Sequence, residues 1–124
     1  MKCLITGASK GIGRAIANKL AECNELDVIL AYNQDHDGAN ETAASVRELG
    51  SKATTMQADL STATGAQKLI SEALERLGGI DVLVNNAGIT KDGLTLQMAD
   101  ADWMNVINTN LNAAFFLSRA VAKP

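Results

Sequence analysis

An apolar run that breaks into three glycines and then changes its period limits what this chain can fold into more than any other feature. Residues 4–13 read Leu-Ile-Thr-Gly-Ala-Ser-Lys-Gly-Ile-Gly. The opening residues have strand character, and from Ile12 onward apolar residues recur at helical spacing, so a strand enters the turn and a helix leaves it. Gly7, Gly11 and Gly13 remove side chains where the backbone must turn sharply and where a ligand can approach the main chain. The helix points unpaired N–H groups and the positive end of its dipole into that turn, which makes an anion site suited to a phosphate or pyrophosphate. The spacing is Gly-x-x-x-Gly-x-Gly and not the commoner Gly-x-Gly-x-x-Gly, and a glycine cluster by itself is usually an ordinary turn. Its place between a strand and a helix is what a dinucleotide site requires.

The alternation continues along the chain. Ile12, Ala15, Ile16, Leu20 and Cys23 predict a first helix with one buried stripe, ending near Asn24. Asp27 to Tyr32 is a continuous apolar run, the pattern of a strand covered on both faces. A polar loop from Asn33 to Gly38 precedes a helix marked by Ala39, Ala43, Val46 and Leu49 and stopped by Gly50. Lys52 to Gln57 reads as a third strand. Ser61 is placed to cap a third helix carrying Ala66, Leu69, Ile70, Ala73, Leu74 and Leu77, which Gly78-Gly79 ends. Ile80 to Val84 is a fourth strand, Thr90 to Ala99 a loop, and a long helix from about Asp100 puts Trp103, Val106, Ile107, Asn110, Ala114, Leu117 and Val121 on one face. Four strand–helix units predict an α/β, doubly wound parallel sheet of Rossmann type. Right-handed crossovers order its strands 3-2-1-4, and the switch between strands one and four sets the glycine turn opposite Asn85 to Gly88.

With 124 residues, 47% hydrophobic and 20% charged, the expectation is one domain spanning residues 1–124. A net charge of −3 and scattered Lys and Arg give no attraction to nucleic acid or an anionic membrane. No apolar run approaches the ~20 residues that cross a bilayer, and the N-terminus enters a strand with no signal-peptide layout, so a cytoplasmic protein is expected. Cys3, Cys23 and the single histidine, His36, lack the spacing of a metal site, and the two thiols read as reduced and structural.

Four ordered motifs carry a resemblance. Thr6 to Gly13, Asp59-Leu60 after strand three, Asn85-Asn86-Ala87-Gly88 after strand four and Asn108-Thr109-Asn110-Leu111 in the last helix resemble the short-chain dehydrogenase/reductases. Asn-Asn-Ala-Gly-Ile-Thr followed by a Trp-bearing helix looks closest to the β-ketoacyl-acyl carrier protein reductases within that family. The resemblance spans the whole chain but only the N-terminal half of such an enzyme. It implies that Gly7, Gly11, Ile12 and Gly13 wrap the pyrophosphate and adenosine ribose, with Thr6 and Ser9 also among the cofactor-binding residues. It also implies that Asp59 meets the adenine amino group with Leu60 beside it, and that Asn85 to Gly88, with Asn86, Ala87 and Gly88 at the cofactor, hold strand four against strand one and contact the ribose. In the family the Asn matching Asn110 distorts the last helix and holds a water that feeds a proton relay. Outside that role Asn110 is an amide on an apolar stripe, which must be hydrogen-bonded or cost about 1–3 kcal/mol.

The cofactor expected is NADP(H). NAD sites place an acidic residue at the end of strand two, and here that end reads Tyr32-Asn33-Gln34, with Asp35 just beyond; Asn33 does not repel a phosphate, and Lys10 adds a positive charge where a 2′-phosphate would sit. The family's Ser, Tyr and Lys are not matched: the only tyrosine is Tyr32 and no Tyr-x-x-x-Lys occurs. Three readings follow: the interrupted N-terminal half of a reductase acting on a small-molecule or carrier-bound carbonyl, a dinucleotide-binding half-domain without turnover, or an interaction module pairing through its open edge. The ending at Pro124, directly after an amphipathic helix, favours the first. Strand four and Phe115, Phe116 and Leu117, left partly wet, point to a homo-oligomer.

Overall fold

The computed structural model describes residues 1–89 and 93–122. Thr90, at the start of the expected loop, and the terminal Pro124 lie outside the described residues. Strands β1 (Lys2–Ile5), β2 (Asp27–Tyr32), β3 (Lys52–Gln57) and β4 (Val82–Val84) form one parallel sheet in the order β3-β2-β1-β4. Helices α1 (Gly11–Cys23), α2 (His36–Glu48) and α3 (Ala63–Leu77) link successive strands. A fourth helix is continuous but changes winding: α4 (Asp100–Ile107) passes through a π turn (Asn108–Asn112) into α5 (Ala113–Val121). This is the doubly wound architecture that the alternation predicts, with β2 and β3 at the expected residues.

Alternation along each strand divides the core in two. Cys3, Ile5, Val28 and Leu30 pack with Ala17, Ala21, Ala43 and Val46 of α1 and α2. Leu4, Ile29 and Ala31 pack with Leu69, Ile70 and Ala73 of α3 and with Ala113 and Leu117 of α5. Among the described residues no helix is long and apolar enough to cross a membrane.

Several local expectations are corrected. The buried stripe of α1 is Gly13, Ala17 and Ala21, while Ile12, Ala15 and Cys23 are exposed. The glycine turn draws α1 so close to the sheet that only small residues fit beneath it, and Ile16 and Leu20 are displaced to the flanks of the core. Helix α2 starts at His36, inside the expected loop, because the Asp35 carboxylate accepts the Gly38 N–H at 3.0 Å and caps the first turn. Thr62, not Ser61, caps α3 by accepting the Gly65 N–H at 3.0 Å. Leu49 and Leu74 are exposed at the rims of their helices.

Strand β4 is shorter than Ile80 to Val84. Asp81 turns back onto β1 instead, its N–H donating to the Lys2 carbonyl and its carboxylate accepting the Lys2 N–H, both at 2.8 Å. It therefore does nothing to shield the open side of β4. The π turn also breaks the single face expected of the last helix, because one extra residue rotates α5 by about 100° relative to α4. Trp103, expected on the buried face, is more than half exposed, as is Phe115, whereas Leu117 is fully buried and not wet.

Candidate functional site

The site grows out of Thr6, a buried hydroxyl at the end of β1. Its O–H donates to the Val84 carbonyl at 3.3 Å and its oxygen accepts the N–H groups of Asn86 at 3.1 Å and Ala87 at 2.9 Å. Asn86 Nδ2 completes the join by donating to the Gly7 carbonyl at 3.0 Å. The turn after β1 and the turn after β4 are thus one hydrogen-bonded unit at the switch between strands. Gly7 has φ +63°, and a Cβ there would lie 2.9 Å from Ala87 Cα; a Cβ on Gly13 would overlap the Gly7 carbonyl. Both glycines are required by backbone approach.

Beside this unit, above the C-terminal ends of the strands, opens a crevice of about 640 Å³. Of the residues expected to bind cofactor, Gly7 and Ser9 line it from the glycine turn, Asn33 from the end of β2, Asp59 and Leu60 from the end of β3, and Ala87 and Gly88 from the turn after β4. Thr6, Gly13 and Asn86 stand behind that lining as its support. Lys10, Gly11 and Ile12 are exposed at the glycine turn and are not among the residues that line the crevice.

Asp59 has a carboxylate oxygen that accepts the Ser61 hydroxyl at 2.6 Å and the Ser61 N–H at 3.0 Å. Those two bonds, the hydroxyl first, hold its pKa below the ordinary carboxylate value. The group is therefore ionised near neutral pH, with its other oxygen available to accept a donor in the crevice.

Asn110 is exposed rather than buried on an apolar stripe, and both ends of its amide are engaged. Oδ1 accepts the Ile89 N–H at 2.8 Å and Nδ2 donates to the Ile89 carbonyl at 2.9 Å. Its position within the π turn agrees with the helix distortion expected there, and a π turn is a frequent mark of a functional region. The pair ties the fourth helix to the chain just after Gly88.

Gln34, Asp35, Asn105 and Thr109 also line the crevice, and sequence reasoning assigned none of them to the cofactor. It missed Arg14 too, whose guanidinium bridges the glycine turn and α2. One signal was available: a cation in the first turn of a helix opposes the dipole, so an arginine there needs another reason. The only tyrosine, Tyr32, pairs its hydroxyl with His36 Nδ1 at 2.8 Å. Among the described residues no cluster of three His, Cys, Asp or Glu side chains could hold a metal ion.

The short chain dehydrogenase family model matches residues 2–124. A 3-oxoacyl-[acyl-carrier-protein] reductase of Synechocystis sp. is 42% identical over 120 residues, which is 97% of this chain and 48% of the relative. Glucose 1-dehydrogenase 2 of Bacillus subtilis is 37% identical, over 94% of this chain and 45% of its own length. Among solved structures, a short chain dehydrogenase from Burkholderia cenocepacia in complex with NADP superimposes with a TM-score of 0.90 at 35% identity, covering 97% of this chain and 49% of the other. A metagenomic short-chain oxidoreductase, also in complex with NADP, gives 0.91 at 34% identity, with 98% and 55% covered. The chain spans about half the length of the curated relatives it matches, and with the family model covering almost every residue it belongs to the short-chain dehydrogenase family.

Proposed function

We propose that these 124 residues are the NADP(H)-binding, N-terminal half of a cytoplasmic carbonyl reductase. The carbonyl would be a β-ketoacyl group on acyl carrier protein, as in fatty acid biosynthesis, and the whole enzyme a homo-oligomer. The observation that carries the reading is the crevice at the switch between β1 and β4, with the glycine turn on one side and Asp59 on the other. The NADP complexes of two similar structures support the choice of cofactor, and the similarity to a 3-oxoacyl reductase supports the substrate class.

The chain fits a dinucleotide on its own terms. Side chains at Gly7 and Gly13 would fill the space that the Gly7 carbonyl and the turn after β4 occupy, and the face above Gly11 is open. Gly7, Ser9, Gly11, Ile12 and Gly13 would cradle the pyrophosphate, Asp59 and Leu60 the adenine, and Ala87 and Gly88 the ribose, with Thr6 and Asn86 fixing the walls. Lys10 would meet the 2′-phosphate beside Asn33. The nicotinamide, once bound, would supply the hydride in the whole enzyme. Asn110 would act as a positioning residue, holding the π turn against Ile89 so that a water could be kept for the proton relay.

General acid catalysis needs a donor within hydrogen-bond reach of the carbonyl oxygen, and these residues contain no Tyr-x-x-x-Lys. The 124-residue chain is therefore expected to bind without turning over. Calorimetric titration of NADPH and NADH tests the reading. NADPH should bind about tenfold to a hundredfold tighter, the value of one charge-assisted contact, and Lys10→Glu should erase that margin. Tighter binding of NADH, or a margin that survives Lys10→Glu, sinks it.

A further inference from the structure

We propose that Arg14 is a positioning residue for the 2′-phosphate: without touching the ligand, it locks the glycine turn to the first turn of α2 and so aims Lys10. This rests on the reading of the crevice as an NADP(H) site.

One guanidinium joins two walls. Arg14 Nη2 donates to the Ser9 carbonyl at 2.7 Å and to the Gly38 carbonyl at 3.0 Å, and Nε donates to Thr42 Oγ1 at 2.9 Å. Thr42 is fully buried and donates its own hydroxyl to the Gly38 carbonyl at 3.2 Å. Glu41, at 3.2 Å from Nη2, neutralises part of the charge, so Arg14 acts by geometry more than by field. Ser9 lines the crevice on the glycine-turn side and Asp35, whose carboxylate caps Gly38, lines it after β2.

Gly38 supplies a second, independent sign that this contact is built. A Cβ at Gly38 would lie 2.6 Å from the Ser9 carbonyl oxygen and would overlap the Asp35 carboxylate, so the two loops approach as closely as only a glycine permits. The planar peptide carries the constraint onward: fixing the Ser9 carbonyl fixes the Ser9–Lys10 peptide plane and with it Lys10 Cα, the point from which the Lys10 side chain leaves. The Lys10 side chain makes no capping bond of its own. The same network keeps the negative Asp35 engaged by the Gly38 N–H. Losing Arg14 would free Lys10 and loosen Asp35 together, and both changes act against a 2′-phosphate while leaving a 2′-hydroxyl nearly indifferent. A lysine cannot replace the fork, because one ammonium does not span two carbonyls and a hydroxyl in a plane.

Calorimetry with 2′,5′-ADP and 5′-ADP as probes tests this on the 124-residue chain. The wild type should prefer 2′,5′-ADP, and Arg14→Gln should cut that preference about fivefold or more, with 5′-ADP affinity nearly unchanged. Adding Arg14→Gln to Lys10→Gln should cost little further preference, because the first acts through the second. A preference that stays at the wild-type value while the melting temperature falls would make Arg14 structural only and overturn the proposal, as would additive losses in the double variant. If Arg14→Gln does not fold, Arg14→Lys and Gly38→Ala perturb the same contact, and an unchanged preference in either overturns it equally. Failure of the wild type to bind either probe would instead reject the crevice as a nucleotide site.

Discussion

Strands β2 and β4 flank β1 on opposite sides and read almost alike, yet they live in different surroundings. Val28, Ile29, Leu30 and Ala31 of β2 are essentially inaccessible, with a ladder on each side and helices over both faces. Val82, Leu83 and Val84 of β4 are each only half-buried, with β1 on one side and no described strand on the other. An apolar run thus reports what a strand is built to bury, and the sheet order reports what covers it. On the β4 side stability depends on a few polar joints, Thr6 with the Asn86 turn and Asp81 with Lys2, whereas the β2 side depends on packing.

The coarsest test of that contrast is association. The ladder of β4 is open on one side and Phe115 and Leu111 are exposed, and apolar surface of about a few hundred Å² is enough to drive self-association. Light scattering should find dimers or larger species at ~100 μM; a clean monomer there would mean that the β4 edge is protected. Next in size is Thr6→Val, which leaves two backbone N–H groups without their acceptor and should cost about 2–4 kcal/mol in urea unfolding, against about 0.5 kcal/mol or less for Thr55→Val on β3. Comparable losses at the two positions would remove the special weight given to the β1–β4 joint. The packing side is read from Ile29→Ala and Leu83→Ala: about 3 kcal/mol for the first and roughly half for the second, since Ile29 is fully buried and Leu83 is not. Equal values would show β4 to be covered as β2 is.

The smallest effect lies at Asp59. Its folded pKa is lowered by Ser61, so the pair adds stability above the unfolded carboxylate value and loses it as pH falls through the folded value. Ser61→Ala should raise the Asp59 pKa, followed by NMR titration. The stability difference should be under about 0.5 kcal/mol near neutral pH, because the group is solvent-screened, and should vanish in acid. An Asp59 pKa that does not move would assign the shift to some other cause.

Element order and sheet order were legible because strand and helix periods differ and because crossover handedness leaves few arrangements. Asp59 and Gly88 were legible as crevice residues only through the resemblance to the short-chain dehydrogenase/reductases, since Lys-Ala-Thr-Thr-Met-Gln before Ala58-Asp59 carries no ligand signal of its own. Features set by distance rather than pattern were not. The stripe of α1 could not be read because Gly13 must approach the Gly7 carbonyl, and the last helix could not be phased because a distortion expected at Asn110 does not by itself give the extra residue of a π turn. The role of Arg14 depends on Ser9 and Gly38, which are far apart in sequence and meet only in the fold.

The ladder register also bears on the order in which the chain folds. Cys3 opposes Val28, and Val28 opposes Ala53, so the first two pairings each close a loop of 25 residues. Cys3 also opposes Val82, a separation of 79, which costs about 1 kcal/mol more in loop-closure entropy if it forms from the open chain. Once β3 is in place, the free segment from Gln57 to Val82 is again only 25 residues, and that surcharge disappears. The cheapest route therefore lays down β1, β2 and β3 first and docks β4 last, with the Thr6 hydroxyl waiting unpaired until the Asn86 turn arrives. A chain emerging from a ribosome in sequence order would follow that same route, and Asn86 would report the final step.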